Sequence, residues 1–377
     1  MALLMIPVIV VFWTDECGIG IDEVFYLQTI FSAVVLVLEV PSGYVADVLG
    51  RKRTLFLSSI LTGLGFTIYA LAHGFGLLVA AEAVLAVGLS LWSGTDVAMQ
   101  YETIHELGRP GEALASESRN LSVRQATEAA VAVAGGYLAV WLSLRATVWL
   151  TVVPYVASAV LVLLLVEPAR GVRSDTSVSQ AWGYVREAIG RSEIRRPILV
   201  WAFLSTGTLL GVWMHQLLWM RAGLAVQSFG WAWAALNAAV SASALLAVRF
   251  RDRWGWIGSV ALLAAWEMAA LAVMGVWMSR WVFAAGCALN VVRGVGYPIV
   301  VTEVNSRIGS DRRATILSVV HLGGRLLFAA LALPVGWIAL RWGLTEAAVV
   351  AGLATGGGAL VLLGATRRSK GRLKVES

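Results

Sequence analysis

Charge is scarce in this sequence. Asp, Glu, Lys and Arg make up 14% of its 377 residues while 59% are hydrophobic, against roughly 25% and roughly 45–50% for an average soluble domain. A water-soluble chain has no way to bury so much apolar surface, which excludes a soluble helical protein and leaves a polytopic membrane protein. Cysteine is nearly missing: Cys17 and Cys287 alone make no disulfide framework. With four histidines they are too dispersed for a metal site, and no His-Glu-x-x-His occurs. A phosphate-binding glycine loop is also lacking, which disfavours ATP-driven transport and implies no cofactor. The start of the chain has neither the basic flank, the polar cap nor the cleavage site of a signal peptide.

What the chain does have is a series of apolar runs. They lie near 24–46, 54–72, 75–98, 120–142, 146–166, 197–219, 228–248, 256–277, 281–301, 313–338 and 345–365, preceded by a short run at 2–13. Eleven are close to or above the ~20 residues needed to cross a ~30 Å hydrocarbon core, whereas the first makes only about 18 Å of helix. Lysine and arginine set the orientation. Connections and ends on the side of Arg51 hold 23 of them, and the opposite side holds Arg145, Arg221, Arg280 and Arg341. This bias places the basic side in the cytoplasm. A basic stripe for nucleic acid would have to ignore the alternation, so the net charge of +6 implies lipid headgroups and no nucleic-acid partner. Of the 17 tryptophans, Trp149, Trp254, Trp281 and Trp342 lie near run ends, as interfacial residues do. Trp92, Trp213, Trp219, Trp231 and Trp233 lie deeper and either shape a cavity or face lipid.

The long connection at 167–196, with Pro168, Gly171, Ser174, Ser177 and Ser179, reads as a linker between an amino-terminal bundle, 1–166, and a carboxy-terminal bundle, 197–366. Its middle, 178–189, can form an amphipathic surface helix with Trp182 and Tyr184 at headgroup level. A basic cytoplasmic tail follows at 367–377. A weak repeat crosses the linker: Asp47-Val-Leu-Gly50 corresponds to Asp252-Arg-Trp-Gly255, and Tyr101-Glu102 roughly to Thr302-Glu303, at similar offsets. Two matches at equivalent run ends support two halves of six spans. The later copy carries Arg249-Phe-Arg251 where the first has a glycine, which weakens its claim to the same gating role.

The whole pattern is organised around residues 38–53. One apolar run arrives there, another leaves, and Arg51, Lys52 and Arg53 between them read as a tight loop at a membrane surface. Glu39, Gly43 and Asp47 fall four apart on one helical face. Gly43 would let another helix come close, while Asp47 faces a helix N-terminus or a basic group. Gly43-Tyr-Val-Ala-Asp-Val-Leu-Gly-Arg-Lys-Arg53 resembles the signature loop between helices 2 and 3 of the major facilitator superfamily. Ser93-Gly-Thr-Asp96, Tyr101-Glu-Thr-Ile-His-Glu-Leu-Gly108 and the Glu-Val-Pro-Ser-Gly of 39–43 resemble a poorly characterised bacterial branch of it. The resemblance covers essentially the whole chain. It implies an all-α fold of two six-helix bundles related by a pseudo-two-fold axis, in the bacterial inner membrane, with linker and carboxy terminus cytoplasmic. It also implies a cytoplasmic latch comprising Glu39, Gly43, Asp47, Gly50, Arg51, Arg53, Asp252 and Gly255. Set against that family, the sequence enters halfway through helix 1 before an acidic outer loop with Asp15, Glu16, Asp22 and Glu23. The expectation is that the upstream reading frame encodes about 10–20 further residues completing that span.

Ionisable groups inside the spans are the candidates for chemistry, since each must be paired, hydrated or neutral there. Glu39, near the cytoplasmic end of its span, either closes the gate with a basic partner or lies on the substrate path. Glu82, in the outer half of its span, is a candidate proton or cation site. Glu128 follows Arg124 by four residues, a spacing suited to a structural pair. Arg293 stays charged and must face either a counter-ion, for which Glu267 on the preceding span is available, or an anionic substrate. His321 and Arg325 share one helical face and read as pathway residues, or else Gly323-Gly324 marks close packing there. His215 is a weaker candidate, with Asn237, Asn290, Gln216 and Trp92 as neutral ones. The span at 120–142 has Gly135-Gly136 but lacks the longer Gly-Pro pattern that the family associates with antiporters.

These features point to a secondary transporter that moves a small molecule by alternating access, coupled to protons and exporting, and working as a monomer. Uptake of a small metabolite remains open beside it, as does a non-transporting membrane enzyme or assembly factor.

Overall fold

The computed structural model describes residues 4–93, 95–109, 112–168, 183, 185–187, 189–277, 279, 281–308 and 313–364, and among them the regular structure is helical. The expected surface helix at 178–189 is therefore described only in part, and the tail at 367–377 lies outside the described residues. The chain forms two compact units, Met1–Ser174 with Ala225–Ala234, and Asp175–Leu224 with Ala235–Ser377.

In the first unit, α1 (Ile9–Val11) lies between a 3-10 turn, Ile6–Val8, and a π-helical turn, Phe12–Glu16. Then come α2 (Ile21–Leu49), α3 (Arg51–Leu71), α4 (Phe75–Trp92), α5 (Thr95–Glu106), α6 (Ala113–Trp141) and α7 (Leu144–Leu164). Helix α3 is the central element and packs on both α4 and α7. Its buried face includes Thr54, Ser58, Ser59, Thr62, Gly63 and Gly65, small residues that let helices approach closely where lipid offers no hydrophobic drive. Ser58 Oγ donates to the Gly88 carbonyl on α4 at 2.7 Å, and Ser59 Oγ lies 3.1 Å from Ser158 Oγ on α7. Leu57, Ile60, Leu64 and Leu71 form the opposite, exposed face of α3, as a lipid-facing stripe requires. At the other end of the unit, Arg145 Nη1 donates to the carbonyls of Ala70 at 2.6 Å and Ala72 at 3.0 Å, and its Nε lies 3.4 Å from Glu16.

The basic triplet is not a loop. Helix α2 ends at Leu49, α3 begins at Arg51, and Gly50 alone turns the chain with φ 98° and ψ 155°. That conformation is essentially open to glycine only. Three cations in a first helical turn oppose the helix dipole, and Glu167 offsets this: its carboxylate accepts from the amides of Arg51 at 2.6 Å and Lys52 at 3.2 Å. Gly43 is exposed, with nothing within 4 Å of where a Cβ would stand.

Cys17 precedes α2, and its thiol donates to the Ala72 carbonyl at 3.5 Å. Burial pushes its pKa up to about 11, with Arg145 lowering it and Glu16 raising it by smaller amounts. At pH 8 only about a thousandth of such a thiol is thiolate, against roughly a quarter for a free one. In a Cys287→Ser background, labelling of Cys17 at pH 8 is expected to be on the order of a hundred-fold slower folded than unfolded, and to speed up as pH rises toward 11. Equal rates in the two states would contradict the burial.

The second unit comprises α8 (Ser192–Arg221), α9 (Phe229–Ala244, whose first residues belong to the first unit), α10 (Ala247–Val276), α11 (Val282–Asn305), α12 (Arg313–Arg341) and α13 (Leu344–Gly352), which runs into a π-helical turn, Leu353–Gly357. Its core joins Ile198, Trp201 and Leu204 of α8 with Val260 and Leu263 of α10, Val295 and Ile299 of α11, and Ile316 and Val320 of α12. Helix α10 is broken at Gly255, with φ 63° and ψ 177°.

Among the described residues, nine helices are long and apolar enough to cross a membrane. The runs at 120–142 and 228–248 are not among the nine. Helix α6 carries Glu117, Arg119, Arg124 and Glu128 in its first half, and α9 stops after 16 residues at a turn before α10.

Candidate functional site

At the basic end of each unit a small charge network ties helix ends together. In the first, Arg51 donates through Nε and Nη2 to Glu102 Oε1 at 3.3 and 3.2 Å. In the second, Glu303 of α11 pairs with Arg307 and lies 3.8 Å from Arg251, while Arg307 also donates to the Glu193 carbonyl. Asp252 and Arg53 are exposed, as is Gly255, and Glu39 is half-buried. Asp47 lies in α2, with its side chain outside the described residues. The repeat noted in the sequence shows in the backbone, because Gly50 and Gly255 share the same glycine-only break.

Deep in the first unit, Glu82 of α4 is 3% exposed. Its Oε1 accepts from Gln28 Nε2 of α2 at 2.7 Å and from the Tyr69 hydroxyl of α3 at 2.5 Å. The Tyr69 ring in turn lies beside Trp13, with centroids 6.1 Å apart, on the π-helical turn. No cation pairs with Glu82 among the described residues. Neither Gln28, a polar residue inside an apolar run, nor Tyr69, which carries no such signal, stands among the candidates read from the sequence.

A second buried carboxyl lies in the other unit. Glu267 of α10 is fully buried, and Thr355 Oγ1 lies 2.6 Å from its Oε1 and 2.8 Å from the Ala351 carbonyl. A threonine hydroxyl has one hydrogen for these two acceptors. It serves one of them at a time, and Oε2 of Glu267 has no hydrogen-bond partner among the described residues. The π-helical turn that presents Thr355 is of a kind frequent at functional sites, and Gly207 of α8 makes room, since a Cβ there would collide with Glu267. Glu267 is thus directed to Thr355 and not to Arg293, as the sequence had allowed. Thr355, inside a Thr-Gly-Gly-Gly run, carries no signal of this role.

Other candidates fall differently. Arg124 does not pair with Glu128; its guanidinium sits over the Trp92 ring, 5.8 Å from the centroid. His215 is fully buried against Trp219, with ring centroids 5.7 Å apart, and neither ring nitrogen has a hydrogen-bond partner. Asn290 donates to the Gly286 carbonyl of its own helix at 3.0 Å, the arrangement of a satisfied structural residue. Arg293 is exposed on α11, Arg325 is half-buried on α12 and His321 is exposed on α12, its Nε2 3.1 Å from the Tyr297 hydroxyl. Tyr297 lies one turn beyond Arg293, a spacing visible in the sequence but passed over there.

Carboxyls buried without cations, and cations held in mid-span, suit the movement of polar solutes through a membrane better than bond chemistry. The family model described as Major Facilitator Superfamily matches residues 1–329, and the chain belongs to that superfamily. It is a multi-pass membrane protein with a transport function of the alternating-access type. A comparison with curated proteins found no match. Among solved structures, two of the nucleoside transporter NupG are similar: a point mutant at TM-score 0.76 and a second structure at 0.72, each 11% identical and covering 97% of this chain and 96% of that one. A bacterial homolog of the human lysosomal transporter Spinster, in an inward-facing and unoccupied conformation, is similar at TM-score 0.70 and 16% identity over 96% of this chain and 91% of that one. These likenesses carry the fold.

Proposed function

We propose that this chain is a proton-coupled exporter of a small molecule, working as a monomer of two six-helix bundles related by a pseudo-two-fold axis, with Glu82 as the proton-carrying group. The arrangement of Glu82 carries the reading: a carboxyl buried in mid-span with two neutral donors and no cation. Desolvation penalises its ionised form and the two donors stabilise it, opposed effects that suit a group required to gain and lose a proton in each cycle. Glu267 with Thr355 is the matching proton-holding pair of the other unit. The latch at the cytoplasmic end comprises Glu39, Gly43, Asp47, Gly50, Arg51, Arg53, Asp252 and Gly255; the shared break at the two latter glycine positions and the charge pairs beside them support it.

The test uses everted membrane vesicles with an acid lumen, incubated with a small-molecule extract and analysed by mass spectrometry. Export coupled to protons fills the lumen with particular compounds only when the gradient is present. Accumulation in right-side-out vesicles instead would mean uptake. Gradient-independent equilibration would exclude coupling, and conversion of a compound without its movement would exclude transport.

A further inference from the structure

We infer that Arg293, Tyr297, His321 and Arg325 form a binding site for a small organic anion, so that the transported molecule carries a carboxylate or phosphoryl group; this deepens, and rests on, the transport reading above. Helices α11 and α12 each pack against α8, and they meet at the Tyr297 hydroxyl and His321 Nε2, 3.1 Å apart, with ring centroids 5.5 Å apart. Trp201 of α8 backs this contact, its ring 5.6 Å from that of Tyr297. The two helices are consecutive and joined by a short connection, so they run in opposite directions. Arg293 lies one turn before Tyr297 and Arg325 one turn after His321, so both guanidinium groups rise on the same side of the tyrosine–histidine contact.

Arg293 is about 17 Å from either end of α11 at 1.5 Å per residue, the depth at which an arginine facing lipid is most costly. It is exposed and has no hydrogen bond or ion pair among the described residues. The unit's acidic groups nearest to hand are engaged elsewhere: Glu267 with Thr355, and Glu303 with Arg251 and Arg307. The Arg293 guanidinium stays charged and has no carboxylate paired with it among the described residues. Guanidinium presents a planar fork of donors that matches the paired oxygens of a carboxylate or phosphoryl group, and the tyrosine hydroxyl and histidine add donors at one edge. A neutral or cationic solute would leave this charge uncompensated.

Purified full-length protein in detergent tests the assignment without a gradient. Its unfolding midpoint is followed while succinate, citrate or glycerol 3-phosphate is titrated in, against succinamide, choline and sodium chloride at matched ionic strength. At least one of the three anions is expected to raise the midpoint, since a ligand that binds only the folded state stabilises it, and the controls are not. Arg293→Gln and Arg325→Gln should each weaken that anion at least about tenfold, Arg293→Lys should weaken it less, and Arg341→Gln, at the far end of α12, should not. If Arg293→Gln fails to fold, Tyr297→Phe supplies the comparison, with weakened binding and retained charge. No shift by any of the three anions beyond that of chloride, or an equal shift in the arginine variants, overturns the site. Proton-coupled flux through Glu82 would still stand or fall by its own vesicle assay.

Discussion

Replacing Glu82 by glutamine is expected to abolish gradient-driven accumulation while gradient-free exchange of the same compound continues. Glutamine has nearly the same shape, and its amide oxygen can still accept from Gln28 and Tyr69, which now donate to the carboxylate at 2.7 and 2.5 Å. Packing and folding should therefore survive, and what disappears is the ability to take up and release a proton. A gradient of one pH unit stores about 1.4 kcal/mol per proton, enough for about tenfold accumulation at one proton per substrate. The variant should bring that ratio to about one. Tyr69→Phe removes a donor but keeps the carboxyl, so coupling should persist in it with an altered pH profile. Undiminished accumulation by Glu82→Gln would remove Glu82 from the coupling scheme.

Gly50→Ala is expected to be strongly destabilising. Backbone strain at φ 98° and ψ 155° costs on the order of 1–3 kcal/mol for any residue with a Cβ. The added carbon would stand 2.6 Å from Glu167 Oε1 and push the carboxylate off the amides of Arg51 and Lys52. Hydrogen bonds to a charged group contribute about 1.5–3 kcal/mol each, so a total loss of about 3 kcal/mol or more is reasonable against the marginal stability of a folded protein. Gly255→Ala supplies the control. Its backbone has the same strain, but a Cβ there meets nothing within 4 Å, so only the first contribution should appear. Unfolding in mixed micelles would measure both variants, and equal losses would show that Glu167 contributes nothing at this joint.

The joint at Gly50 also marks how far the sequence could be read. A glycine before three cations, between two apolar runs, announced a turn; that the turn is a single residue and that α3 starts at once follows from Glu167, more than a hundred positions away. Local sequence carries no record of such a partner.

Hydropathy determined by itself that this chain is a multi-pass helical membrane protein and which ionisable residues lie inside its spans. Those properties depend on composition along a line, because lipid excludes charge and unpaired backbone wherever the chain crosses it. Only the tertiary structure decided what each buried charge touches. Glu82 meets Gln28, 54 positions away, and Glu267 meets Thr355, 88 positions away, whereas Arg124 leaves Glu128 for Trp92. Side-chain partners across a bundle depend on how each helix is rotated and how far it slides along its neighbours. An apolar run leaves both free, because nearly every face of it is equally willing to be buried, and packing of small residues such as those of α3 then selects one rotation and register.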